Sequence, residues 1–195
     1  MSTDKQHTKE EILAATIPLF AEKGYARVSM REIARTVGLK AASLYHHFPD
    51  KQTLYIEATV QAYNKHADLV IKAFTLKASP ELRLRHVIEK MCKIVYDDDN
   101  FRRLLEREIL DGDETRLQLL ANHVFGDFFR NINELCQELT SNLDPHLLTV
   151  SIISLIIHHY QITPIRTFMP GFKPSHNDPE VLARHIFQLL KNGYA

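Results

Sequence analysis

Apolar positions recur along this chain at intervals of three and four, the period of helices that bury one face. No stretch reads as a strand, and no internal repeat is present. A first helix is expected from about Lys9 to Lys23, opened by the capping pair Thr8 and Glu11 and turning Ile12, Leu19 and Phe20 inward. Gly24 closes it, and Tyr25 is placed beneath the next two helices. Ser29 and Glu32 form a second capping pair ahead of Ile33, Ala34 and Val37. Gly38 ends that helix, because glycine takes the left-handed conformation without strain. A brief third helix covers about Ala41 to His47, with Leu44 and Phe48 turned to the core, before Pro49-Asp50-Lys51 stops it and caps the next.

Longer helices come after these. One runs from about Lys51 to Lys77 with a seam of Ile56, Val60, Tyr63, Ala67, Val70 and Phe74. At 1.5 Å per residue it is about 40 Å long, enough to belong to two domains and to link them mechanically. Ser79-Pro80-Glu81 opens a helix to about Tyr96 that buries Leu84, Val87, Ile88, Met91, Ile94 and Val95. The acidic run Asp97 to Asn100 reads as dipole capping of a helix over 101–110, closed by Asp111-Gly112. The next helix, over 113–139, carries Leu117, Leu120, Val124, Phe128, Ile132 and Leu135 at helical spacing. Another runs over 145–162 until Pro164 prevents continuation, and a last one over 179–191 carries Val181, Leu182, Ile186, Leu189 and Leu190 before Asn192-Gly193. Residues 168–180 are the one clear loop. The fold class is therefore all-α, about nine helices. A three-helix domain over 1–51, too small to be very stable alone, leads into a larger helical domain over 52–195.

Within the first domain, small Ala34, turn glycine Gly38 and inward Leu44 lie where a helix-turn-helix needs closeness, a bend and an anchor. That arrangement presents the outer side of the second helix to a DNA major groove. Spacing alone also allows a helical hairpin within an ordinary all-α core. Charge adds a little: residues 1–51 hold eight Lys/Arg against six Asp/Glu in a chain of zero net charge, so binding has to rest on where the charges sit. A hydrophobic share of 45% and a charged share of 25% are those of an ordinary globular protein. The two cysteines, Cys92 and Cys136, lack CxxC spacing and read as buried thiols in a reducing compartment. The polar N-terminus carries no leader pattern, and the longest apolar run, Leu147 to Ile157, is too short for a bilayer; a cytoplasmic protein is expected.

The segments ILAATIPLFAEKGY (12–25) and SMREIARTVGLKAASLYHHFPDKQTL (29–54) resemble the N-terminal domain of the TetR family of bacterial transcriptional regulators. The LYHHF–P–K ending is the most specific part of the resemblance, which covers about a quarter of the chain at motif level. It implies a homodimer on a palindromic operator in double-stranded DNA, usually a repressor released by a small ligand. It also implies phosphate contacts from Tyr45, His46 and Lys51. Ala41 and Ala42 stand where relatives often have Lys and Gly, and Lys40 where Ser or Thr is usual, so base preference does not transfer. Lys40 and Ser43 are then the base-edge donors, Ala41 and Ala42 meet thymine methyls or allow close approach, and Ser29 and Arg31 complete the DNA-facing set.

No P-loop, GxGxxG, HExxH or nucleophile elbow is present, so no catalytic residue is assigned and no cofactor is expected. Among eleven histidines, the adjacent pairs His46-His47 and His158-His159 diverge by about 100° on a helix, and none lies four from another, so no metal site is assigned. The competing class is an all-α enzyme or a metal-binding protein built from histidines of the C-terminal domain. A ligand cavity is expected among Phe74, Met91, Phe101, Leu105, Leu120, Val124 and Phe128, with His123, His158 or His159, and Tyr160 as polar groups. Such a lining suits a mostly apolar effector with one or two hydrogen-bonding groups, not a sugar or a polyanion. The helix over 145–162 is apolar nearly all round, so a second subunit is expected on Ile152, Ile153 and Ile156 with Leu182, Ile186 and Leu189.

Overall fold

The computed structural model describes residues 8–194, which are all-α, with eleven α-helices and no strand. Residues 1–7, most of the polar N-terminus in which no leader was read, lie outside the described residues. The helices are α1 (Lys9–Lys23), α2 (Met30–Val37), α3 (Ala41–His47), α4 (Lys51–Phe74), α5 (Pro80–Asp97) and α6 (Asp99–Asp111). They continue with α7 (Glu114–Leu120), α8 (Gly126–Leu139), α9 (Pro145–Gln161), α10 (Thr163–Arg166) and α11 (Pro179–Tyr194). Nine expected helices become eleven for two reasons. The run over 113–139 is divided by a π-helical turn, Ala121–Phe125, and Pro164, having ended α9, opens the one-turn α10, where a first-turn proline forfeits no hydrogen bond. The loop over 168–180 contains a 3-10 turn at Pro174–Asn177, and α11 runs past the expected stop at Asn192-Gly193.

Caps explain most boundaries. Thr8 Oγ1 accepts from the Glu11 amide and the Glu11 carboxylate accepts from the Thr8 amide, the complete reciprocal pair. Ser79, Asp113 and Asp144 each accept from the amide three residues on, opening α5, α7 and α9. The acidic run is shared out between neighbours. Asp97 ends α5 against Lys93, Asp98 holds His66 at 2.9 Å, and Asp99 opens α6 two residues earlier than expected.

Packing divides the chain into two compact units: the chain up to Lys65 together with Asn100–Val124, and His66–Asp99 together with the chain from Phe125 onward. This division by packing differs from the expected boundary at 51/52. Helices α6 and α7 return to the N-terminal unit, where Leu104 joins the core of Ile12, Phe20, Ile33, Leu44, Phe48, Leu54 and Tyr55. Arg107 donates from Nε to the Ala21 carbonyl at 2.8 Å and from Nη2 to the Glu22 carbonyl, covering the C-terminal end of α1. The buried face of α4 here is Leu54, Tyr55, Ala58, Thr59 and Ala62; Ile56 and Val60 of the expected seam are only half-buried. The burial of Thr59 costs little because its hydroxyl donates to the Tyr55 carbonyl at 2.9 Å.

In the second unit α5 packs on α8, α9 and α11, and all six of its expected core residues are buried. On α8, Ile132, Leu135 and Cys136 are buried. Cys92 and Cys136 are free thiols, and burial pushes the Cys92 thiol up to about 12, so it is uncharged and poorly nucleophilic. His159, half-buried on α9, accepts on Nδ1 from Arg166 Nη1 at 3.3 Å, with its ring 6.2 Å from that of His185. Burial first, then the charges of Arg166, His185 and His158, lower its pKa below the usual 6.5. A depressed histidine stabilises the folded chain above its unfolded pKa, and that contribution is lost as pH falls through the folded one. The thermal midpoint should therefore drop on acidification below pH 6.5, and His159→Gln should flatten that drop. An unchanged slope in the variant would assign the acid sensitivity elsewhere.

Candidate nucleic-acid interface

The bend between α2 and α3 is set by Gly38, at φ 74° and ψ 22°, the left-handed region that a side chain disfavours. The amide of Leu39 bonds back to the Ala34 carbonyl at 2.8 Å, which turns the chain sharply enough to bring α3 across α2. Ser29 Oγ accepts from the Glu32 amide at 3.2 Å and starts α2. The reciprocal half of the expected capping box is absent, because Glu32 takes Lys23 Nζ at 2.6 Å instead. That ion pair holds the Glu32 carboxyl below its usual range.

Helix α3 is anchored by Leu44 and Phe48, both fully buried. Its other face is open: Lys40, Ala42 and His46 are exposed, and so is Tyr45, with 52% of its surface free. Ser43 is half-buried at the edge of that face. Ala41 differs from expectation, since it packs against the core and leaves Ala42 as the outward small residue. On α2, Ser29, Arg31 and Arg35 line a shallow polar cleft with Glu32. The outward set thus holds cations, hydroxyls, an imidazole and one methyl, while the inward set is apolar. A major groove requires that division.

Lys51 is placed differently from a plain surface cation. Its Nζ donates to the carbonyls of Tyr25 at 3.0 Å and Val28 at 3.1 Å, and lies 4.1 Å from the centre of the Tyr25 ring. Two of its three protons therefore brace the turn between α1 and α2, leaving one for a phosphate. Burial and the nearby Arg116 charge lower its pKa.

Residues 12–58 match the family model described as bacterial regulatory proteins, tetR family. That stretch is a TetR-type N-terminal segment. Among curated proteins it is similar to IcaR of Staphylococcus epidermidis, the HTH-type negative transcriptional regulator of the biofilm operon icaADBC, with 33% identity over 64 residues. That similarity spans 33% of this chain and 35% of the relative, so it covers about a third of the relative's length. Among solved structures, FadR of Bacillus subtilis in complex with stearoyl-CoA superposes with a TM-score of 0.79 at 18% identity, covering 96% of this chain and all of that one. AibR in complex with isovaleryl coenzyme A and operator DNA gives 0.71 at 20% identity, covering 93% of this chain and 96% of that one. Both likenesses establish the fold.

The expected ligand set is divided between the two units. Phe101, Leu105, Leu120, His123 and Val124 belong to the N-terminal unit, and Phe74, Met91, Phe128, His158, His159 and Tyr160 to the other. His123 is exposed and lines a cleft with Asp50, Gln52, Thr53, Ile56, Glu57 and Leu119, and His158 is exposed as well. Phe74 and Phe128 do meet, 6.1 Å between ring centres, and Met91 and Tyr160 are buried in the same unit. The burial of the expected interface set differs from expectation. Ile152, Ile156, Leu182 and Ile186 are covered by their own unit and have no surface to offer a partner. Leu189 is exposed and Ile153 half-buried, and the outward apolar residues of α9 are Leu147 and Val150. Among the described residues no three His, Cys, Asp or Glu side chains come together as metal ligands, and no helix is long and apolar enough to cross a membrane.

Proposed function

We propose that this TetR-family chain is a one-component transcriptional repressor that binds a palindromic operator as a homodimer and is released by a small, mostly apolar effector. The observation that carries the reading is the two-sided character of α3: Leu44 and Phe48 anchor it, while Lys40, Ala42, Tyr45 and His46 face outward. The described role of IcaR as a negative regulator supports repression. Coupling arises from differential binding: an effector that favours the conformation with poorly spaced recognition helices lowers DNA affinity by its preference for that state. Retardation of a duplex from beside its own gene, against a scrambled duplex of equal length, tests the reading. Equal binding of both would overturn specific recognition.

For the effector we take an acyl chain, since FadR and AibR are described with stearoyl-CoA and isovaleryl-CoA. An acyl chain suits the apolar surroundings of Phe74, Met91 and Phe128. Coenzyme A is a polyanion for which that lining makes no provision, so stearate, stearoyl-CoA, isovaleryl-CoA and free CoA should be compared in the same retardation assay. Release by the acyl compounds and not by CoA is the expected pattern, and release by CoA alone would remove the apolar account.

The exposed methyl of Ala42 makes a narrower prediction. Replacing thymine by uracil across each half-site should weaken binding at the base that Ala42 meets. One lost methyl contact is worth about 0.8 kcal/mol, or roughly fourfold in Kd. A scan with no loss at any position would mean that Ala42 only permits close approach.

A further inference from the structure

Two cations lie against one aromatic ring in the N-terminal unit. Lys51 Nζ is 4.1 Å from the centre of the Tyr25 ring, and the Arg116 guanidinium carbon is 4.3 Å from it. Arg116 is itself fixed by four acceptors. Its Nε donates to both Glu108 carboxylate oxygens at 3.2 Å, Nη2 lies 3.3 Å from Asp111, and Nη1 lies 3.3 Å from Asp113. Tyr25 is half-buried against the edge of the core, with its ring edge-on to Tyr55 at 5.2 Å, and the two cations flank it. Arg116 comes from α7, about ninety residues along the chain, and nothing in the helix-turn-helix motif requires it.

We propose that Arg116 is a positioning residue for DNA binding, acting through the Tyr25 ring on Lys51. The inference rests on the reading of this chain as an operator-binding protein. Arg116 holds the ring by cation–π contact, and the ring, with the Tyr25 and Val28 carbonyls, holds the Lys51 ammonium. Like charges on one ring also repel, and the Arg116 charge disfavours charge on Lys51. The free proton of Lys51 is thereby directed to an anion outside the ring, which on an operator is a backbone phosphate. Three carboxylates on α6 and its turn into α7 thus reach a phosphate contact at the start of α4, and the α6–α7 corner becomes part of the DNA-binding apparatus.

The test is a double-mutant cycle on the whole chain. The duplex is the tightest one that the wild-type protein recovers from a random-sequence library. Arg116→Gln, Lys51→Ala and the pair are compared by Kd at several salt concentrations, with thermal melting as the check on folding. Neutralising one phosphate contact changes the slope of log K against log salt by roughly one. The expected result is that Arg116→Gln lowers the slope by about that amount, as Lys51→Ala does, and that the double variant binds no more weakly than Lys51→Ala. Tyr25→Leu, which removes no charge, should give the same lowered slope and covers the case in which Arg116→Gln fails to fold. An unchanged slope in Tyr25→Leu, or additive losses in the cycle, would overturn the proposal and leave Arg116 a stabiliser of the fold. A wild-type chain that recovers no duplex would instead overturn the DNA-binding reading, so the two failures are distinct.

Discussion

Glu108→Ala is expected to destabilise the N-terminal unit by about 3–5 kcal/mol, the usual cost of removing one partner from a buried ion pair. Glu108 is 2% exposed, and it accepts the Tyr55 hydroxyl at 2.7 Å as well as Arg116 Nε. Without it the guanidinium keeps only Asp111 and Asp113, at 3.3 Å and partly in solvent, and the buried phenol loses its acceptor. Burial and then the Glu108 carboxylate hold the Tyr55 pKa far above its ordinary value, so the phenol serves as a donor throughout the physiological range. Glu108→Gln keeps a neutral acceptor and should cost less, about 1–3 kcal/mol. Glu108→Leu combined with Arg116→Leu should recover much of the loss, because neither charge then stays buried alone. Urea unfolding of the set measures this. A loss below about 1 kcal/mol in Glu108→Ala would mean that Asp111 and Asp113 suffice for Arg116.

That pair also marks where the amino-acid pattern stops being legible. The helix-turn-helix was legible because each of its requirements is local: Gly38 for the left-handed bend, Ser29 for the cap, and Leu44 and Phe48 four apart for the anchor. Helix α5 was legible for the same reason, since a single continuous stripe faces a single core. Glu108 was not, because a carboxylate on an amphipathic helix reads as solvent-facing, and its partner Tyr55 lies 53 residues earlier. The packing division departs from 51/52 for a related reason, as α6 and α7 join the first unit through those polar side chains and Leu104 rather than through a distinctive apolar run. On the first half of α4 the expected seam fell a residue off the buried one, though Val70 is buried as expected, because the buried line includes Thr59 and Tyr55, whose polar atoms mask their burial. Lys51 lies at the expected end of α4, but two of its protons are taken by carbonyls 23 and 26 residues earlier, which no local pattern encodes.

Leu147→Glu combined with Leu189→Glu is expected to give a folded monomer that binds its operator about 10²–10⁴-fold more weakly, the usual worth of linking two binding modules. The proposed homodimer needs an apolar surface that its own unit leaves uncovered, and counting apolar residues on α9 could not separate the two sides of that helix. The fold separates them: Ile152 and Ile156 are fully covered, while Leu147 is 64% exposed on α9 and Leu189 52% exposed on α11. Val150, Ser151 and Ser154 continue the exposed side of α9, and the two serines allow a neighbouring backbone to approach closely. Charges at Leu147 and Leu189 remove no core contact, so thermal stability measured on the monomer should shift by no more than about 0.5 kcal/mol. Ile186→Glu is the opposite case: it buries a charge in the core of the second unit and should unfold it, whatever the oligomeric state. Sedimentation at several concentrations separates these outcomes. A dimer that persists in Leu147→Glu/Leu189→Glu with full operator affinity would place the subunit interface on another surface.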